Sequence, residues 1–135
     1  MKRSGAGWNR NDDKVVAMGD KETAQRITEV DLRILRRADT LLSTESDWLD
    51  HCSRTCDSEA RRRSLFCALH QASIDVMGQY NHRQAALMVI RWIIDERMDG
   101  EEYEHRLMDF NNTRDFPSIK NALSEAISRV QARLS

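Results

Sequence analysis

Cys52-x3-Cys56-x10-Cys67-x2-His70 is the one set of side chains in this sequence with the chemistry to hold a soft metal ion. Zinc takes four sulfur or imidazole ligands in a tetrahedron. Cys67 and His70 stand about one helical turn apart and can face one ion; Cys52 and Cys56 would have to reach it from the preceding loop. Familiar zinc sites use tighter pairs such as Cys-x2-Cys. The spacing here therefore favours packing, with each cysteine acting as a small hydrophobe. Cys67 and His70 could also serve as nucleophile and base. A reactive thiol needs a nearby cation or a helix N-terminus to form the thiolate. Cys67 is expected deep inside its helix, away from the positive end, among Leu65, Phe66 and Leu69. The expectation is a protein with no bound zinc, no catalytic residue and no cofactor.

Three other groups carry possible chemistry. Glu102-x-x-His105 matches half of a di-iron carboxylate step, but such sites need two steps and two further Glu residues from facing helices. A solvated face explains it better. Arg54, Arg61, Arg62 and Arg63 form a basic cluster diluted by Asp50, Asp57 and Glu59, with no interleaved aromatic to stack a base. On a helix, Arg61 to Arg63 would point in three directions. Asn111 and Asn112 could line a small polar pocket; the simpler role is to satisfy backbone groups at a turn.

The elements that must position these groups are helices. Thr28 with Asp31 three residues on is an N-cap signal, and Ile34, Leu35, Ala38, Leu41 and Leu42 follow on one stripe, with Arg33, Arg36 and Arg37 off it. Ser43 to Ser46 stops that helix, and Trp48 with Leu49 folds back over the core. Asp57 or Ser58 caps a second helix carrying Leu65, Leu69, Ala72 and Val76, which Gly78 ends. Asn81 caps a third, from His82 to Met98. Its block Ala85 to Ile94 is apolar on nearly all sides, with Arg91 as the single interruption, so it should be central. Tyr103, Leu107 and Phe110 make a short fourth stripe broken at Asn111-Asn112-Thr113. Pro117 opens a fifth helix with Ile119, Leu123, Ile127, Val130 and Leu134 on one face.

At 135 residues the chain is read as one domain, all-α, a compact bundle of about five helices over residues 27–135. Residues 1–26 are polar and aperiodic, which predicts a flexible arm carrying Trp8. One Pro and five Gly favour long helices over a turn-rich β fold. A net charge of −1 offers no basic field, which argues against a nucleic-acid partner. The Ala85 to Ile94 stretch is about half the length needed to cross a bilayer. No apolar segment follows Lys2 and Arg3, and an odd cysteine number gives no disulfide framework, so a reduced, cytoplasmic setting is expected.

Several short motifs resemble a family of small all-helical bacterial proteins of unknown function, common in actinobacteria. They are an Ala-x-x-Leu-Leu helix, here Ala38 to Leu42, then Trp48, then the pair Cys67-Ala68 in a small-residue helix. An aromatic-Asn-Asp step before the closing helix corresponds to Phe110-Asn111-Asn112. The chain departs from that pattern at His70, where Gly is usual, and at Asn112, where Asp is usual. The resemblance implies an all-helical domain and brings no activity with it. Two functional readings remain. One is a non-enzymatic module that binds another protein, with an aromatic anchor such as Trp8. The alternative is a metal- or small-ligand-binding domain using Cys52, Cys56, Cys67 and His70.

Overall fold

The computed structural model describes residues 26–52 and 55–135. The expected arm, with Trp8, lies outside the described residues except for Arg26, and so does Arg54. Five helices follow one another: α1 (Glu29–Leu41), α2 (Leu65–Met77), α3 (Ala85–Arg97), α4 (Arg106–Thr113) and α5 (Phe116–Leu134), with a 3-10 turn at Glu45–Asp47. No strand occurs among the described residues; one isolated parallel bridge joins Trp48 to Arg63.

The cap on α1 forms as the sequence dictates. Thr28 Oγ1 accepts from the Val30 N–H, and Asp31 Oδ2 accepts from the Thr28 N–H at 2.8 Å. Ile34, Leu35, Ala38 and Leu42 are buried, and Leu41 is half-buried. This helix packs most extensively on α2 and also touches α5 and α3. The centre is thus shared by α1 and α3, because the α1 stripe is wide enough to meet three neighbours. Within α3, Ala85, Ala86, Leu87, Val89, Ile90, Ile93 and Ile94 are buried, as its all-round apolar pattern requires. Its partners are α5, α4 and α1.

Three boundaries differ from the sequence reading. The second helix starts at Leu65, capped by Ser64 Oγ accepting from the Cys67 N–H at 3.2 Å, and not at Asp57 or Ser58. Asp57 instead closes a tight turn, its Oδ1 accepting from the Glu59 N–H and its carbonyl from the Ala60 N–H. An Asx turn and an N-cap use the same hydrogen bond, so the sequence cannot separate them. Arg61 to Arg63 are consequently not helical: Arg63 pairs its backbone with Asp47 and Leu49, and Arg62 donates to the Trp48 carbonyl.

The third helix starts at Ala85, not His82. Asn81 holds the preceding turn, and the α3 N-terminus is capped from another helix. Buried Asp31 Oδ1 accepts from the Ala86 N–H at 2.9 Å and from Gln84 Nε2 at 3.0 Å. One carboxylate therefore closes the first turns of α1 and α3 together. Finally, Asn111, Asn112 and Thr113 continue α4 rather than breaking it.

Candidate functional site

The sequence-selected cysteines meet at the first turn of α2, but not as ligands. Cys56 and Cys67 form a disulfide with Cα atoms 5.4 Å apart, which pins the irregular segment after Thr55 to the helix. Cys67 stands three residues past the Ser64 cap, so its expected place deep in a helix is corrected to the positive end. The expectation of reduced, unpaired thiols is corrected as well, since only the fold brings an odd set of cysteines into register. Cys52 is buried and free of a disulfide, and Ser64 Oγ donates to its Sγ at 3.2 Å. Burial pushes its thiol above the ordinary range, with the Ser64 hydrogen bond partly opposing that shift.

His70 lies apart from them: its ring stacks on Tyr80 at 4.6 Å and sits 6.0 Å from Phe66. Among the described residues, no group of three or more His, Cys, Asp or Glu side chains is arranged to hold a metal ion. The alternative ligand set Cys52, Cys56, Cys67 and His70 is therefore not assembled. Glu102 and His105 are both exposed, outside any helix.

Asn111 does what was expected of it in kind, though from inside a helix. Its Oδ1 accepts from Trp48 Nε1 at 2.7 Å and from the Leu65 N–H at 2.9 Å; its Nδ2 donates to the Leu49 carbonyl and to Asn112 Oδ1. Asn112 Oδ1 also takes the Cys52 N–H at 2.8 Å. All four bonds of a fully buried amide are used to clasp the 48–52 segment onto α2 and α4. This is structural saturation, with no polar atom left to meet a ligand. Trp48 itself is buried against Phe116, ring centres 5.8 Å apart, as the lid the sequence anticipated.

The opening that can accept something lies elsewhere. A cavity of about 340 Å³ runs between α2, α3, the 103–105 segment and α4, lined by Phe66, Arg91, Tyr103, Glu104, His105, Arg106, Leu107 and Met108. Buried Leu107 with half-buried Phe66 and Met108 supplies an apolar wall. Arg106 pairs with Asp95 at 2.8 Å, and Tyr103 donates its hydroxyl hydrogen to the same carboxylate at 2.6 Å. That bond raises the Tyr103 phenol above its usual range, because the proton is held by Asp95. Arg91 is half-buried; its Nη1 donates to the His82 carbonyl, and it lies beside the Tyr80 hydroxyl. Burial lowers its affinity for a proton relative to a free guanidinium. Phe66, His70 and Tyr80 form an aromatic cluster next to it, Phe66 meeting Tyr80 edge to face at 6.0 Å. The sequence signal for this cleft was present in Arg91, the one charge in an apolar helix. It carried no meaning until α2 and α4 were placed around it.

Fold and cleft together define an all-α domain of five helices with one disulfide-pinned segment and an amphipathic groove on one side. Residues 27–129 match the model of a family described as "Family of unknown function (DUF6197)", and the chain belongs to that family. No curated protein and no solved structure matches it.

Proposed function

We propose that this protein is a non-enzymatic binding module of bacterial type that takes an acidic segment of a partner protein in the groove between α2, α3 and α4. The observation that carries this reading is the groove lining: an apolar wall of Phe66, Leu107 and Met108 faces two guanidinium groups in one opening. Its volume is at the low end for small-molecule pockets, which suits one or two side chains of a docked segment. No helix of the described residues is long and apolar enough to cross a membrane. The compartment in this reading is an oxidising one rather than the expected cytoplasm, because the Cys56–Cys67 bond joins the chain there and lasting disulfides belong mainly to oxidising compartments.

The test is photo-cross-linking from a benzoylphenylalanine placed at Met108, in the native host. One partner should be captured, through a segment bearing Asp or Glu beside an apolar residue. Phe66→Asp should abolish the capture, whereas Ile74→Asp, at an exposed position on α2 that is not part of the groove lining, should leave it intact. Capture that survives Phe66→Asp, or none at all, overturns the reading.

A further inference from the structure

Arg91 is out of place by every local rule. It sits in a helix whose other inward positions are Ala, Leu, Val and Ile, and it is half-buried. Guanidinium groups withdrawn from water are normally met by a carboxylate. Arg37, Arg106, Arg114, Lys120 and Arg129 each have an acidic partner, whereas Arg91 has no carboxylate of the described residues within ion-pair distance. Its polar contacts are both neutral, the His82 carbonyl at 2.6 Å and the neighbouring Tyr80 hydroxyl. The Arg106 guanidinium is close enough to act on it as a further cation. Glu104 lines the same opening but is exposed and makes no ion pair with Arg91. Arg106 spends its charge on Asp95, so Arg91 is the group left uncompensated at the cavity wall.

We infer that Arg91 is the anchor of a carboxylate-binding site, with the docked carboxylate carried next to an apolar or aromatic group that rests on Phe66, Leu107 and Met108. This deepens the partner reading given above and rests on it for the identity of the occupant. Three features of the site support it. Arg91 Nη1 is held by the His82 carbonyl and the guanidinium also meets the Tyr80 hydroxyl; a guanidinium carries five N–H donors, more than these contacts use, so donors remain for a planar carboxylate. The aromatic cluster at its side limits competing water, which strengthens the pairing. The apolar wall gives the ligand body somewhere to go that a bare inorganic anion could not use.

The experiment uses the full chain and side-chain Nε–Hε nuclear magnetic resonance of its arginines. The probe is N-acetyl-Asp-Phe-amide, compared with N-acetyl-Asn-Phe-amide and with inorganic phosphate. The Arg91 resonance should shift saturably with the Asp peptide, with a dissociation constant on the order of millimolar in titrations to roughly 50 mM. The Asn peptide should bind about tenfold more weakly or worse, the loss of one charge-assisted pair. In Arg91→Gln the neighbouring Arg106 Nε–Hε resonance, which should shift with the Asp peptide in the parent protein, should no longer move. Should that variant not fold, Arg91→Lys supplies the second reading: the Arg106 shift should saturate only at higher peptide concentration, because an ammonium cannot form the fork. Equal binding of the Asn and Asp peptides, or no movement of Arg91, overturns the proposal. Phosphate saturating Arg91 while the Asp peptide does not would overturn it in favour of a phosphate ligand. A positive result here with no partner captured in the cross-linking experiment would retire the protein-partner reading and leave the carboxylate site standing.

Discussion

Asn111→Ala is the sharpest test of how this fold holds its irregular segment. Between α1 and α2 the chain runs through more than a fifth of the domain, and its described residues form only a 3-10 turn and one bridge, so side chains must tie it down. The Asn111 amide is the principal tie, and its orientation is fixed by its surroundings. Trp48 Nε1 and the Leu65 N–H can only donate, so the oxygen must face both. Truncation to Ala orphans those two buried donors and the Leu49 carbonyl. At about 1–3 kcal/mol for each unsatisfied buried group, with some relief from entering water, the cost is about 3–5 kcal/mol. With a urea slope of roughly 1.5 kcal/mol/M for a chain of this size, the unfolding midpoint should fall by about 2–3 M. Circular dichroism would report the helices and tryptophan fluorescence the exposure of Trp48. Asn112→Ala is the control: that side chain is exposed, water replaces it, and the loss should be about 0.5–1.5 kcal/mol. Asn111→Asp keeps the accepting oxygen but turns a second one toward the Leu49 carbonyl and Asn112 Oδ1, so it too should destabilise. If Asn111→Ala shifts the midpoint no further than Asn112→Ala, the clasp is not what orders the segment.

Asp31→Ala should cost about 3–5 kcal/mol, far more than a single cap, because it orphans the Thr28 and Ala86 N–H groups on two helices at once; a loss near 1 kcal/mol in chemical denaturation would mean that α3 is not capped from α1. Replacing Cys56 and Cys67 together by Ser should lower stability by about 3 kcal/mol on loop-closure entropy for a loop of this length, read as a drop in the thermal midpoint that a reductant reproduces in the parent protein and not in the variant. The Asp115 carboxyl is held below the usual carboxylate range because Ser118 donates to it from Oγ and from its backbone N–H. Its contribution is therefore present above the unfolded carboxylate value near 3.9 and lost as pH falls through the lower folded value, so Asp115→Ser should flatten the acid limb of the stability curve while keeping α5 capped; an unchanged acid limb in pH-resolved melts would contradict this.

The five helices were legible in the sequence because their information is local. The stripe from Ile34 to Leu42, the apolar block from Ala85 to Ile94 and the Pro117 start of α5 each state a period or a cap within one or two turns of chain. Where local signals are ambiguous, the sequence reading went astray. Asp57 and Asn81 carry cap chemistry but close turns, because an Asx turn and an N-cap satisfy the same backbone donor. The true caps are Ser64, whose hydroxyl gives no signal that sets it apart from the other polar residues between Ser43 and Leu65, and Asp31, which reaches α3 from 55 residues away. Neither pairing of Cys56 with Cys67 nor the four bonds of Asn111 can be read from spacing, since both depend on where an irregular segment returns to the helices. The groove is the extreme case. The sequence displayed Arg91 as a lone charge in an apolar helix, but whether that charge met a partner, water or an opening was decided only by the packing of α2 and α4 beside it. Local chain chemistry determines which stretches coil and which face is apolar. Charge compensation is a property of three-dimensional neighbours, and so the tertiary structure alone placed the uncompensated guanidinium at a cavity wall.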